Sequence, residues 1–316
     1  MTCEAASSSK PGIASSAAAG TVRKPAGTPA ELMANAGGAV AGNVNMTNAR
    51  KVISSSINAG NVDQLAPVCS MPLTGFGIFG AMSSNPIVSD GVLYYSDAAS
   101  NVFAVNSATG TLKWKRIFNA PGLGQNGVTL ANGRILVGVK SELYSLDAET
   151  GETRWHETLN ETDNADVDMA PLAWKNLIIV ATIPFKLPMG IYKGGQKGLV
   201  FGLNAKTGKK VWSFDTTTDN LWGNPEVNSG GGLWSTPSID DHGTMYMSVA
   251  NPGPLPGTEE FPNGSSRPGK NLYTNSLVAL NAKTAELAQK RRLLWFVIST
   301  IVILVAVPWP FLSNGR

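Results

Sequence analysis

Short runs of alternating apolar and polar residues recur along the chain, and before residue 290 no stretch keeps apolar positions three and four apart. That period of two predicts strands rather than helices. Four such runs, Val102 to Val105, Leu143 to Leu146, Leu199 to Leu203 and Leu277 to Leu280, each lead into an Asn or Asp. The side chain of such a residue can bond its own turn backbone, and in three of the four copies a Thr-Gly step follows, with Gly able to take positive φ. A further strand carrying a Trp comes next. Two more strands precede the first three copies: Asn85 to Ser89 with Val92 to Ser96, Gly127 to Leu130 with Ile135 to Val139, and Pro171 to Trp174 with Leu177 to Thr182.

The repeated unit is legible as sequence. It reads Ala104-Val-Asn-Ser-Ala-Thr-Gly110 to Trp114, Ser145-Leu-Asp-Ala-Glu-Thr-Gly151 to Trp155, Gly202-Leu-Asn-Ala-Lys-Thr-Gly208 to Trp212, and Ala279-Leu-Asn-Ala-Lys-Thr284. Four short antiparallel strands per unit is the plan of a propeller blade. The expected fold is therefore all-β: a partial β-propeller of three full four-stranded blades and an incomplete fourth. The spacing between units widens because Gly- and Pro-rich insertions enter at 184–197 and 251–275, and long loops on a repeat fold often carry function.

Composition agrees with many turns: 34 Gly, 19 Pro and only 15% charged residues. The net charge of +3 includes one dense cluster, Lys290, Arg291 and Arg292, and no aromatic-interleaved basic stripe stands elsewhere, so no nucleic-acid partner is expected. Cys3 and Cys69 are far apart and frame neither a disulfide scaffold nor a zinc site. His156 and His242 are the only histidines, one beside a repeat Trp and one in a turn, which excludes a triad built on histidine at a shared position. Gly75-Phe-Gly77-Ile-Phe-Gly80 has dinucleotide-fingerprint spacing, but Pro86 follows too soon for a good helix, so a loop is expected.

From Leu293 to Leu312 there is no charged residue, and twenty residues at helical rise span about 30 Å, so a C-terminal transmembrane helix is expected. Trp295 and Trp309 stand near its ends, and the basic cluster before it assigns that end to the cytoplasm by the positive-inside tendency. The first sixty residues, rich in Ala, Ser, Gly and Thr, hold no apolar core suited to a secretion signal. The domain plan is a low-complexity, mostly disordered leader over 1–60, the partial propeller over 61–284, and a basic flank with the membrane helix over 285–316.

The pattern A-x-D-x-x-T-G-x-x-x-W at blade spacing resembles the tryptophan-docking motif of the pyrroloquinoline quinone (PQQ) alcohol dehydrogenase-like propellers, over roughly residues 50–284. Within that likeness, Gly230-Gly-Gly-Leu-Trp234 and the later Asn251-Pro look like the segment in which a Trp forms the floor under the quinone and an Asn helps bind calcium. The resemblance therefore implies PQQ and calcium as cofactors, a small alcohol as substrate, Trp234 and Gly232 at the cofactor and Asn251 at the metal. It also implies work on the periplasmic or extracellular side, in tension with the charge cluster at the tail.

The departures point to an impaired, truncated member. The calcium carboxylate expected after Leu177 to Ala181 is missing, since 181–199 holds Lys186, Lys193 and Lys197 and no acid. The catalytic aspartate would lie beyond the fourth motif, where Ala285 stands for Gly and Gln289 for Trp, so no catalytic residue is assigned. The alternative is a membrane-tethered, non-catalytic propeller scaffold for protein partners.

Overall fold

The strands fall where the alternation predicts them. A computed structural model describes residues 56–288 apart from 68, 72, 74, 77–79, 83, 123–126, 161–164, 185–193 and 256, together with Glu4–Ala5. The first sheet is a meander of Ile87–Ser89, Val92–Ser96, Val102–Asn106 and Leu112–Arg116. Thr129–Ala131, Arg134–Val139, Glu142–Asp147 and Thr153–Thr158 form the second; Leu172–Trp174, Leu177–Ala181, Leu199–Asn204 and Lys210–Asp215 form the third. In the fourth, Ser238–Ile239, Thr244–Val249 and Ser276–Asn281 make three strands, and an antiparallel bridge from Leu280 to Leu287 starts another pairing.

Successive sheets pack face to face. Ile135, Val137 and Leu146 of the second sheet meet Tyr94, Ala104 and Trp114 of the first. Leu136 and Leu143 on its other face meet Ile178, Val180 and Phe201 of the third, and Leu172, Ile179 and Val200 of the third meet Met245, Met247 and Val278 of the fourth. Each fully buried aliphatic side chain is worth about 1.5–3 kcal/mol in area removed from water, so these seams are the main stabilising element. Strands sandwiched on both faces are apolar throughout, as at Leu177–Ala181, where all five residues are buried. Thr244–Val249 instead alternates, with Met245, Met247 and Val249 buried and Tyr246 and Ser248 exposed. That strand is covered on one face only.

The repeated motif makes one turn four times. Asn106 Oδ1, Asp147 Oδ1 and Asn204 Oδ1 each accept from the two backbone N–H groups two and three residues on, and Asn281 Oδ1 accepts from Lys283. The turn closes with the N–H of Gly110, Gly151, Gly208 or Ala285 donating to the backbone carbonyl of that same Asn or Asp at 2.8–2.9 Å. Gly151 and Gly208 have φ of 74° and 76°, and a Cβ on either would sit about 2.5 Å from the ring of the preceding sheet's Trp, so both need glycine twice over. Ala285 holds the same left-handed conformation, φ 59°, without that freedom.

The expected fold class needs one correction. Its membrane helix is not supported: no helix among the described residues is long and apolar enough to cross a membrane, and the longest is the single turn Asp219–Trp222. The segment 293–312 itself lies outside the described residues. Its hydropathy measures the cost of leaving water for lipid, which does not by itself make a helix. Cys69–Ser70 pairs with Glu4–Ala5, and Met71 and Leu73 pack on Tyr95, Phe103 and Val105 of the first sheet.

Candidate functional site

Glycine lets four backbone segments cross at one place. Ser229–Gly230 pairs with Pro252–Gly253, and Gly230 also bridges Lys197 in parallel register. The Gly198 N–H donates to the Gly230 carbonyl at 2.8 Å, and Thr216 Oγ1 bonds both the Gly198 and Gly231 carbonyls at 2.7 and 2.6 Å. A Cβ on Gly194 or Gly198 would overlap the backbone of Glu226 or Gly231. The glycines are required by this approach of chain to chain.

Two of the three residues singled out in the sequence, Gly232 and Asn251, lie on that crossing. Gly232 is buried, its carbonyl accepts from the Ala250 N–H at 2.9 Å, and a Cβ there would press on Ile183 at 2.8 Å. Asn251 is half-buried; its carbonyl accepts from the Gly231 N–H, and its side-chain Nδ2 donates to the Pro252 carbonyl at 2.9 Å. Gly232 and Asn251 are therefore on adjacent segments of chain. Trp234, two residues past Gly232, is half-buried beyond the buried Leu233. A flat, partly open indole beside a stretch of side-chain-free backbone suits a planar ligand.

One acidic residue near the crossing escaped the sequence reading. Asp166 lies opposite Ile183 in the two-stranded pairing of Ala165–Asp166 with Ile183–Pro184, and Ile183 in turn meets Gly232. Burial pushes the Asp166 carboxyl up to about 6, against a smaller opposing effect of Lys140. The only sequence signal was the local Ala-Asp-Val-Asp run, and nothing in it tells that this segment folds back onto the 183 strand. Of the lysines flagged in the insertion, Lys186 and Lys193 lie outside the described residues, while Lys197 Nζ pairs with Asp215 Oδ2 at 2.8 Å. Arg267 reaches the carbonyls of Gly253 and Pro254, and burial lowers the pKa of its guanidinium.

These donors can be tested against the two cofactors that the resemblance implies. For a planar quinone the segment offers the half-buried Trp234 two residues past Gly232, while Gly230, Gly231 and Gly232 are taken up in close packing of chain against chain. Calcium is offered less, because it takes six to eight oxygens, chiefly carboxylates and carbonyls. Among the described residues no group of three or more His, Cys, Asp or Glu could hold a metal. Asn251 offers a single amide oxygen, and the calcium role expected for it is not supported by its surroundings. His156 is exposed, stacks on Tyr144 with ring centroids 5.1 Å apart and takes no part in the crossing; His242 is exposed in its turn.

The family model described as "PQQ: Glucose/ethanol/alcohol dehydrogenase, beta-propeller domain" matches residues 45–293. The chain belongs to this PQQ propeller family. Among its curated relatives, the quinohemoprotein alcohol dehydrogenase of Comamonas testosteroni is 26% identical over 265 residues, covering 73% of this chain and 35% of that protein. The quinohemoprotein alcohol dehydrogenase ADH-IIG of Pseudomonas putida is 28% identical over 258 residues, covering 72% and 34%. The chain thus spans about a third of the length of these relatives. The solved structure of the ADHIIG enzyme matches with a TM-score of 0.68 at 22% identity over 83% of this chain and 41% of that one. A europium-containing methanol dehydrogenase matches at 0.62 and 22%, over 78% and 47%. At these identities the structural matches establish the shared fold.

Proposed function

We propose that this PQQ propeller chain binds the quinone at the Gly230–Gly232 crossing, with Trp234 as its floor, and does not by itself oxidise alcohols. The bound quinone would serve as a two-electron acceptor for a small alcohol. Within this reading Trp234 stacks on the planar ring and Arg267 supplies positive charge for an anionic cofactor. The observation that supports the reading is the pairing of Gly231 with Asn251 and of Ala250 with Gly232, which brings two of the three resemblance-assigned residues together, with Trp234 two residues past Gly232. The impairment rests on the metal: among the described residues no three His, Cys, Asp or Glu side chains gather where calcium would need carboxylates, and 181–199 holds no acid.

Titration of the full chain with PQQ, followed by tryptophan fluorescence, tests the binding. Saturable quenching that is lost in Trp234→Ala supports it, and quenching unchanged by that substitution refutes it.

A second reading, a non-catalytic scaffold for a protein partner, is favoured by the one-sided fourth sheet. Tyr246 and Leu277, 39% and 59% exposed, sit on its bare face. Failure to bind PQQ, with capture of a partner lost in Tyr246→Lys, would favour this reading over the first.

A further inference from the structure

Each seam between sheets is locked by a repeat Trp in a regular way, and one seam departs from it. Trp114 Nε1 donates to the carbonyl of Ala148 at 2.9 Å, and Trp212 Nε1 to the equivalent carbonyl of Ala282 at 3.2 Å. Between the second and third sheets the matching acceptor is Ala205. There the buried Nε1 of Trp155 has no hydrogen-bond partner among the described residues, and Arg134 Nη1 instead donates to the carbonyls of Ala205 and Lys206, both at 3.2 Å. Arg134 opens its strand opposite Asp147; the residues in the same register of the other sheets are Val92, Leu177 and Thr244. The cation is particular to this seam.

A cavity of about 440 Å³ opens at the same seam. The buried Ala131, Leu136, Ala173 and Ile178 line it together with Arg134, the exposed Lys175 and Lys206, and three asparagines. Three basic side chains and no carboxylate stand among its lining residues. Lys175 is steadied 4.8 Å over the ring of Trp174, and the two carbonyl bonds hold the Arg134 guanidinium by one nitrogen, leaving the Nε and Nη2 edge as a fork. That edge matches the two oxygens of a carboxylate, and the volume is that of a small-molecule pocket. A bare inorganic anion would leave the apolar part of the lining uncovered.

We propose that the seam between the second and third sheets is a binding site for an organic carboxylate with an apolar body, with Arg134 as its fork and Lys175 and Lys206 as its rim. The site is separate from the glycine crossing, shares no residue with it and stands whether or not the quinone binds.

Calorimetric titration of the full chain with octanoate, butyrate and inorganic phosphate tests it. One saturable octanoate site is expected, tighter than for butyrate and absent for phosphate. Arg134→Gln should weaken it about tenfold or more, and added salt should weaken it further. Because Arg134 also caps two carbonyls, the double variant Lys175→Gln/Lys206→Gln, confined to exposed side chains, provides a second measurement that leaves the seam packed. Octanoate binding unchanged in both variants, phosphate binding as tightly as octanoate, or no saturable binding would overturn the proposal.

Discussion

The indole of Trp114 spans the first seam: its nitrogen donates to the Ala148 carbonyl at 2.9 Å while its ring covers Gly151, the glycine that ends the same turn. One side chain thereby reads two features of the next sheet, a carbonyl and the absence of a Cβ. The Trp155 ring covers Gly208 in the same way but makes no hydrogen bond among the described residues.

This difference predicts unequal costs for the same substitution. Trp114→Phe leaves a buried carbonyl with only the 3.2 Å bond from the Tyr94 hydroxyl, whereas Trp155→Phe loses ring area alone. Urea unfolding should show Trp114→Phe more destabilising than Trp155→Phe by about 1 kcal/mol. Equal costs would mean that ring packing, and not the hydrogen bond, locks the seam.

Ala285 holds a left-handed turn where its three counterparts are glycine. Ala285→Gly should therefore stabilise the protein by roughly 0.5–1 kcal/mol by relieving the Cβ clash with its own backbone. Gly151→Ala should do the opposite and cost more than ~2 kcal/mol, since the new methyl group meets the Trp114 ring at 2.6 Å as well. Thermal melts of the two variants would check both signs.

Asp166 makes the stability pH-dependent. Its carboxyl is raised from 3.8 to about 6 by burial, so the folded state binds a proton more tightly than the unfolded chain does. The associated stability is fully present below about pH 4 and is lost as pH rises through about 6. Asp166→Asn should remove that decline, leaving the variant more stable than the parent at pH 7.5 and little changed at pH 4. A variant whose melting temperature tracks the parent across this window would show that the carboxyl is not desolvated.

The blades were legible because strand, turn and docking Trp all sit within one short repeat; the turn at Asn204 to Gly208 needs no distant contact to be recognised. The local placement of Gly232, Trp234 and Asn251 followed from likeness to a family segment. Asp166 and the Arg134 cavity were not legible, because each depends on pairing between distant segments: 165–166 with 183–184, and 134 with 205–206. The expected membrane helix falls on 293–312, outside the described residues, and no described helix is long and apolar enough to take its place.

The central claim, a quinone-binding propeller chain whose described residues gather no carboxylate cage for calcium, meets its most direct test in one assay. Purified full chain, supplied with PQQ and calcium, is given ethanol and an artificial electron acceptor, and acceptor reduction is followed. The account predicts bound quinone and no alcohol-dependent reduction above the rate of free PQQ. Reduction that requires the protein, PQQ and calcium together would contradict it.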